Sequence, residues 1–292
     1  MTGTQIEQSP ENGSAPAVFT NILCAVDGTR ASTAAVRMAV CLVGAAGRLT
    51  LLAVTAQSGA GRYATAAISP GRVTHVLNRA KRLAEAAGVA TTTIADPGGP
   101  PVKIILERAS GHDLLAIGAP ATSWIGGMLI SGVAASALSL LTTPALFVRA
   151  SFTGSLGGRE ILVASDGQDG SDEIVELAGR LGLSQHAPVT LIHALGPESR
   201  ARPHRIEAQA RTLALMLPGG ADTHVEPGKA GQVILDAAKR SKPAIAVIGS
   251  RGLGGVLALG SVSRRVVHGA SCSVLLVPQR RRDLRSSRGS SR

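Results

Sequence analysis

Aromatic residues and cysteines are scarce in this 292-residue chain, and each scarcity excludes some kinds of core and of binding site. Aromatics make up 2% of the residues, so the core has to be built from Ala, Val, Leu and Ile. The same scarcity leaves few side chains for stacking on single-stranded bases, and we expect no specific nucleic-acid binding. The cysteines are odd in number and unclustered, which favours small hydrophobic residues in a reducing compartment over a disulfide framework; they are Cys24, Cys41 and Cys272.

Sequence signatures of catalysis and of export are also missing. The chain has no H-E-x-x-H motif, no C-x-x-C pair and no G-x-S-x-G motif after a strand. We therefore predict no metal ligands, no catalytic residues and no enzymatic activity. Slow ATP hydrolysis is conceivable, but no residue is identifiable as its general base. No basic segment leads into an apolar core at the start of the sequence, which predicts no secretory signal and a cytoplasmic location.

Charged residues are absent from Leu114 to Val148, a run long enough to span a bilayer. Two features argue against a membrane span. Pro120 and Pro144 interrupt the run, and its pattern recurs later in a segment that carries charges. We therefore expect no membrane contact, and we expect this segment to be buried against another domain or another chain.

Positive charge is in excess, at a net +11, but much of it lies at the end of the chain. Residues 280–292 carry six arginines and one aspartate, a net of +5 that leaves +6 for the rest. This Ser-, Arg- and Gly-rich segment is expected to be a disordered basic tail. Residues 1–16 are polar and rich in turn-forming residues, and we expect a disordered arm there.

Strands and helices are predicted to alternate along the chain, and the whole pattern occurs twice. Apolar runs of strand length alternate with amphipathic segments, which is typical of βαβ units and a parallel sheet. The first copy is predicted at residues 17–150 and the second at 159–279, with a linker at 151–158. In the first copy we predict a first helix at 32–46, with Ser32 as its N-cap, and then a strand at 48–55.

The second copy contains a glycine-rich loop directly after a buried apolar strand. Ala244–Ile248 is followed by Gly249, Gly252 and the pair Gly260-Ser261. Glycine lets phosphates approach backbone N–H groups closely, and a helix predicted to begin near Ser261 adds its N-terminus to the same site. The loop has no Gly-Lys-Ser/Thr and follows a late strand, so it is neither a Walker A loop nor a dinucleotide fingerprint.

This pattern resembles the universal stress protein family, whose ATP-binding members carry Gly-x2-Gly, nine residues and then Gly-Ser/Thr. Here seven residues separate Gly252 from Gly260, so the loop is two residues shorter. The resemblance covers almost the whole duplicated region. It implies an α/β chain of two tandem flavodoxin-like (Rossmann-like) domains, each with a five-stranded parallel sheet in the order 3-2-1-4-5. It also implies ATP, with or without Mg²⁺, held between the first and fourth strands of a domain.

By this resemblance the second domain holds the adenine nucleotide. Asp166 is expected near the adenine or ribose, Arg251 and the glycines near the phosphates, and a further base contact maps near His193 on the second strand. The expected nucleotide-binding residues are Asp166, Gly167, Gly249, Arg251, Gly252, Gly260, Ser261 and Val262. Glycines after strands and Asp-Gly pairs also form plain turns, so a purely structural role remains the alternative for each of them.

The first copy carries a degenerate version of the same loop. Ala121 stands where the second glycine is expected, and Pro120 removes one N–H donor. We therefore expect a weak or empty site in the first domain, whose corresponding residues are Asp27, Gly28, Gly118 and Gly132.

The sequence leaves two classes of function open. One is a stress-response regulator or sensor in which ATP occupancy changes the shape or the partners of the protein. The alternative is a nucleotide-free protein-interaction module whose ATP sites have decayed. A protein partner is expected but not identifiable. The resemblance also implies a homodimer, because the last strands of the two copies, Ala145–Val148 and Val274–Val277, are apolar edges that have to be paired or covered.

Overall fold

Helices and strands alternate along the chain in a computed structural model that describes residues 17–55, 68–97, 99–119, 142–168, 170–196, 199, 202–250 and 260–279. The first half contains β1 (Phe19–Ala25), α1 (Arg30–Leu42), β2 (Val43–Val54), α2 (Pro70–Glu85), β3 (Ala90–Asp96), α3 (Pro101–Ala109), β4 (Leu114–Ala119) and β5 (Ala145–Arg149). The second half contains β6 (Ile161–Ala164), α4 (Asp172–Gln185), β7 (Val189–Leu195), α5 (Pro203–Met216), β8 (Asp222–Pro227), α6 (Ala230–Ser241), β9 (Ile245–Gly249), α7 (Ser261–Gly269) and β10 (Ser273–Val277). We call the two halves domain 1 and domain 2.

All ten strands belong to one continuous sheet, in the order β3-β2-β1-β4-β5-β10-β9-β6-β7-β8. Each half has the predicted parallel order 3-2-1-4-5, which confirms the fold class. The halves join through β5 and β10, which run antiparallel with Leu146 opposite Leu275. The two apolar last strands, which we expected to be paired or covered, therefore pair with each other within the chain.

Burial explains why the inner strands are so apolar. Both faces of the inner strands are covered, so strands such as β5 and β10 are buried at every position. One core cluster includes residues of α1, α2, α4 and α5, and the other includes residues of α3, α6 and α7. The outermost strands β3 and β8 are largely exposed, and they carry the polar sequences ATTTIAD and DTHVEP.

The first helix ends earlier than its sequence pattern predicts. Helix α1 ends at Leu42, and Val43 already belongs to β2, where it pairs with Phe19 of β1. Pairing with a neighbouring strand thus overrides the helical preference of the Ala-rich segment that follows. The N-cap is also shifted from the prediction, because the Thr29 side chain accepts a hydrogen bond from the N–H of Ser32.

The segment between the two halves is packed rather than loose. Phe152 and Leu156 are buried and belong to the first core cluster. On the surface of α1, the guanidinium of Arg37 donates to the carbonyl of Thr153 at 3.4 Å. This connection therefore helps to fix domain 1 against domain 2.

The two ends of the uncharged run from Leu114 to Val148 form buried strands of domain 1. Its beginning forms β4 and its end forms β5, while residues 120–141 lie outside the described part of the chain. None of the helices in the described ranges combines the length and the hydropathy that a membrane span requires.

Candidate functional site

The sheet topology brings those predicted nucleotide-binding residues of domain 2 that the structure describes to one edge of the sheet. Strands β6 and β9 are parallel neighbours, with Val163 opposite Val247. Asp166 follows the carboxyl end of β6, and Gly249 is the last residue of β9. The helices that follow these two strands, α4 and α7, belong to different core clusters and so pack on opposite faces of the sheet. Open α/β sheets bind ligands at the carboxyl ends of strands where the following helices change face in this way.

Helix α7 begins at the same edge of the sheet. The N–H of Gly260 donates to the carbonyl of Ser250 at 3.0 Å, which places the N-terminus of the helix beside the end of β9. The hydroxyl of the buried Ser263 donates to the carbonyl of Gly249 at 2.6 Å and fixes the first turn there. Gly260 is the N-cap and supplies no side-chain acceptor, and Ser261 is exposed. The first turn therefore presents backbone N–H groups, the donors that bind anions at helix N-termini.

Asp166 and Gly167 form a tight turn after β6. One carboxylate oxygen of Asp166 accepts the N–H of Gln168 at 3.0 Å, and Gly167 has a positive φ of 67° that favours glycine. The side chain of Asp166 is half-buried. The Asp-Gly pair therefore has the structural role of forming a turn. The same turn places a carboxylate at the edge where the strands end.

Domain 1 forms the corresponding turn with a different set of hydrogen bonds. Gly28 has a φ of 83°, and Asp27 uses one carboxylate oxygen to accept both the N–H and the hydroxyl of Thr29, at 2.9 and 2.7 Å. Thr29 in turn caps α1. The carboxylate of Asp27 is therefore engaged in starting a helix, whereas Asp166 has a glutamine in place of this threonine.

Gly118 and Gly249 have packing roles that the sequence pattern did not reveal. A Cβ at Gly118 would lie 2.3 Å from the carbonyl carbon of Ala31, because the first turn of α1 approaches β4 at that point. A Cβ at Gly249 would lie 2.8 Å from the Cδ1 atom of Ile174 and 3.0 Å from the Nε2 atom of Gln279. Close packing therefore accounts for both glycines without a ligand.

Three of the predicted site residues, Arg251, Gly252 and Gly132, lie outside the described residues. Val262 is half-buried in the first turn of α7. Among the residues that the structure describes, no three His, Cys, Asp or Glu side chains lie together as ligands of a metal ion would.

A buried polar network that the sequence pattern did not indicate lies behind the Asp166 turn. The hydroxyl of Ser165 donates to the side-chain oxygen of Gln209 at 2.6 Å, and both residues are buried. His193, which is also buried, makes a 2.8 Å hydrogen bond through Nδ1 to the carbonyl of Ser165. Because a carbonyl oxygen only accepts, Nδ1 carries the proton. Aligning the two repeats could have revealed this network, since domain 1 has Val26 where domain 2 has Ser165.

Known proteins agree with this architecture. Residues 19–149 and 158–278 each match the sequence model of the Universal stress protein family. The chain belongs to the universal stress protein family. The two matched segments give it a tandem, two-domain organisation.

Related members of the family match either one domain or most of the chain. A universal stress protein of Thermus aquaticus, encoded in the QAH/OAS sulfhydrylase 3′ region, is 33% identical in an alignment of 134 residues that covers 41% of this chain and 98% of that protein. A universal stress protein structure from Archaeoglobus fulgidus covers 90% of this chain and 97% of its own, with a TM-score of 0.66 and 19% identity. One from Pseudomonas aeruginosa covers 89% and 94%, with a TM-score of 0.61 and 20% identity. These structural likenesses concern the fold alone.

Proposed function

We propose that this universal stress protein binds ATP, with or without Mg²⁺, at the carboxyl edge of domain 2 and acts as a cytoplasmic regulator or sensor of the stress response. The N-terminus of α7 carries this proposal. It lies beside the end of β9, at the edge of the sheet where β6 also ends, and its cap is a glycine. The phosphates would accept hydrogen bonds from the N–H groups of Ser261 and Val262 and from the Ser261 hydroxyl.

Asp166 is proposed to hold the ribose or the base. Its described hydrogen bond comes from the N–H of Gln168, which leaves acceptor capacity on the carboxylate. Its counterpart Asp27 accepts the hydroxyl and the N–H of Thr29 on one oxygen, so its carboxylate is oriented toward the start of α1. This difference supports domain 2 as the stronger site and domain 1 as the weaker one.

We propose a role without catalysis, in which nucleotide occupancy changes the partners of the protein. A nucleotide-free interaction module is the other candidate, and it is favoured by the packing roles of Gly118 and Gly249, which need no ligand. A homodimer stays a prediction, and it would have to use a surface other than β5 and β10, since these pair within the chain. The absence of specific nucleic-acid binding also stays a prediction.

The first experiment is to denature the purified full-length protein and to identify any released nucleotide by chromatography. We expect ATP in the native protein, and a dissociation constant for added ATP at least tenfold higher in a Gly252→Val, Gly260→Val variant, because side chains there block approach to the N–H groups. Gly71→Val is the matched control, since nothing lies within 4 Å of a Cβ at this helical glycine.

Two results would decide against ATP binding in domain 2. An empty protein that binds no added ATP at millimolar concentration, an affinity weaker than about −4 kcal/mol, would favour the nucleotide-free module. Equal ATP affinity in the double variant and in Gly71→Val would place the ligand elsewhere.

A further inference from the structure

A buried polar network lies directly beneath the Asp166–Gly167 turn of domain 2. The N–H of Gly167 donates to the Ser165 hydroxyl oxygen at 3.0 Å, and this hydroxyl donates to Gln209. Ser165 is 6% exposed and Gln209 is 3% exposed. Buried side chains therefore fix the turn through a hydrogen bond to its main chain.

Gln209 connects this turn to helix α5. Its amide nitrogen donates to the Ser171 hydroxyl at 3.0 Å and to the Asp172 carboxylate at 2.6 Å. Arg205, one turn earlier on α5, donates to the other oxygen of Asp172 at 2.5 Å. The network thus joins the end of β6, the start of α4 and the buried side of α5.

Domain 1 builds the same turn with apolar residues. Val26 precedes Asp27 as Ser165 precedes Asp166. Val76 is the seventh residue of α2, as Gln209 is the seventh of α5, and both helices begin with proline. Val76 packs against Gly28, where an added Cβ would lie 2.9 Å from its Cγ2 atom.

Folding of the turn therefore does not require the polar network. Buried polar groups lose hydration, and a well-packed apolar pair is often at least as stable. The domains differ in which part of the aspartate turn is fixed by hydrogen bonds. In domain 1, Thr29 clamps the carboxylate itself, whereas in domain 2 the network fixes the main chain.

We infer that Ser165 and Gln209 are positioning residues that set the Asp166–Gly167 turn for the ribose and base side of the nucleotide. They are thereby part of what makes domain 2, rather than domain 1, the nucleotide-binding domain. This inference rests on the proposed function, because the ligand that Asp166 meets is the one proposed above.

The test is a full-length variant, Ser165→Val with Gln209→Val, which places valines in domain 2 where domain 1 has Val26 and Val76. Ser171 and Asp172 keep partners, since Ser171 donates to the carbonyl of Gln168 at 2.7 Å and Asp172 keeps Arg205. The N–H of Gly167 loses the Ser165 hydroxyl, which is the hold on the turn that the test removes. We expect a melting temperature within about 3 °C of wild type. We expect the dissociation constants for ATP and for adenosine, measured by calorimetry, both to rise at least tenfold.

The equal loss for ATP and adenosine distinguishes positioning from general loosening of the site. A Gly260→Val variant acts at the phosphates and should weaken ATP more than adenosine. The matched control, Val26→Ser with Val76→Gln in domain 1, should leave the affinity of domain 2 unchanged. If the double variant does not fold, Ser165→Ala removes the same hydroxyl with a smaller change and is held to the same expectation.

The outcomes separate this inference from the proposed function. If the folded Ser165→Val, Gln209→Val variant binds ATP and adenosine as wild type does, or loses affinity for ATP alone, the positioning role is wrong. The proposed ATP binding would still stand in that case, because the wild-type protein binds the nucleotide. A wild-type protein that binds neither ligand would overturn both.

Discussion

Arg149 shows what a single side chain contributes at the junction of the two domains. It ends β5 of domain 1 and is 2% exposed, yet its guanidinium donates to main-chain carbonyls of domain 2, those of Val267 at 2.6 Å and Cys272 at 3.3 Å. Val267 lies in the last turn of α7, where unpaired carbonyls favour a cation. Burial lowers the pKa of Arg149 and raises the pKa of the Cys272 thiol to about 11.

The same cation acts on His268, one residue further along α7. Burial, with Arg149 and Arg264 as neighbouring cations, lowers the pKa of His268 below its ordinary value of 6.5. The unfolded chain therefore takes up this proton at a higher pH than the folded chain does. Stability from this group is present above about pH 6.5 and falls as the pH drops below that value.

We therefore expect the wild-type protein to lose stability between pH 7 and pH 5, and a His268→Gln variant to lose less. The measurement is the urea midpoint of unfolding at the two pH values. Replacement of the exposed His75 by Gln is the control and should keep the full loss. If His268→Gln and wild type lose equally, the lowered pKa of His268 does not contribute to the acid sensitivity.

At the scale of elements, the contact of α1 with β4 is closer than that of α4 with β9. At Gly118 an added Cβ would meet backbone atoms of α1, the carbonyl carbon of Ala31 at 2.3 Å and the N of Ser32 at 2.4 Å. At the equivalent Gly249 it would meet the ends of the Ile174 and Gln279 side chains. Side-chain ends can rotate away, whereas a helix backbone has to move as a unit.

Gly118→Ala should therefore cost about 3 kcal/mol of unfolding free energy, and Gly249→Ala about 1 kcal/mol, the two ends of the usual range for overpacking. Urea unfolding of the two variants beside wild type measures the difference, and each variant serves as the control for the other. Equal costs would mean that α1 adjusts as easily as a side chain does.

At the scale of the whole molecule, the two domains share one sheet and both core clusters. Leu146 of β5 and Leu275 of β10 lie opposite each other and are fully buried. Phe152 and Leu156 of the connecting segment belong to the same cluster as residues of both domains. Such continuity predicts that the domains unfold together.

Leu275→Ala should lower the stability of both domains by about 2–5 kcal/mol, because the cavity lies at their junction. Hydrogen exchange followed by mass spectrometry at increasing urea concentration measures this, on peptides from β1 in domain 1 and from β6 in domain 2. The exposed Leu215, replaced by Ala, is the control and should change neither. A loss of protection confined to β6 would show that the domains unfold independently.

The amino-acid sequence by itself determined the repeated α/β pattern, since uninterrupted apolar runs such as Ile245–Ile248 form strands only when both faces are buried. It also located the turn at Asp166–Gly167 and the start of α7 near Ser261, because glycine and helix-start preferences are local. The resemblance then supplied the strand order, and the sheet confirms it.

Tertiary structure decided what depends on residues far apart in the chain. The pairing of β5 with β10, the close packing at Gly118 and the bond from Ser165 to Gln209 each join positions that no local pattern relates. The end of α1 at Leu42 is of the same kind, since pairing with β1 overrides helix propensity. Local preferences amount to tenths of a kcal/mol per residue, whereas strand pairing and burial act together over many residues, and they prevail where the two conflict.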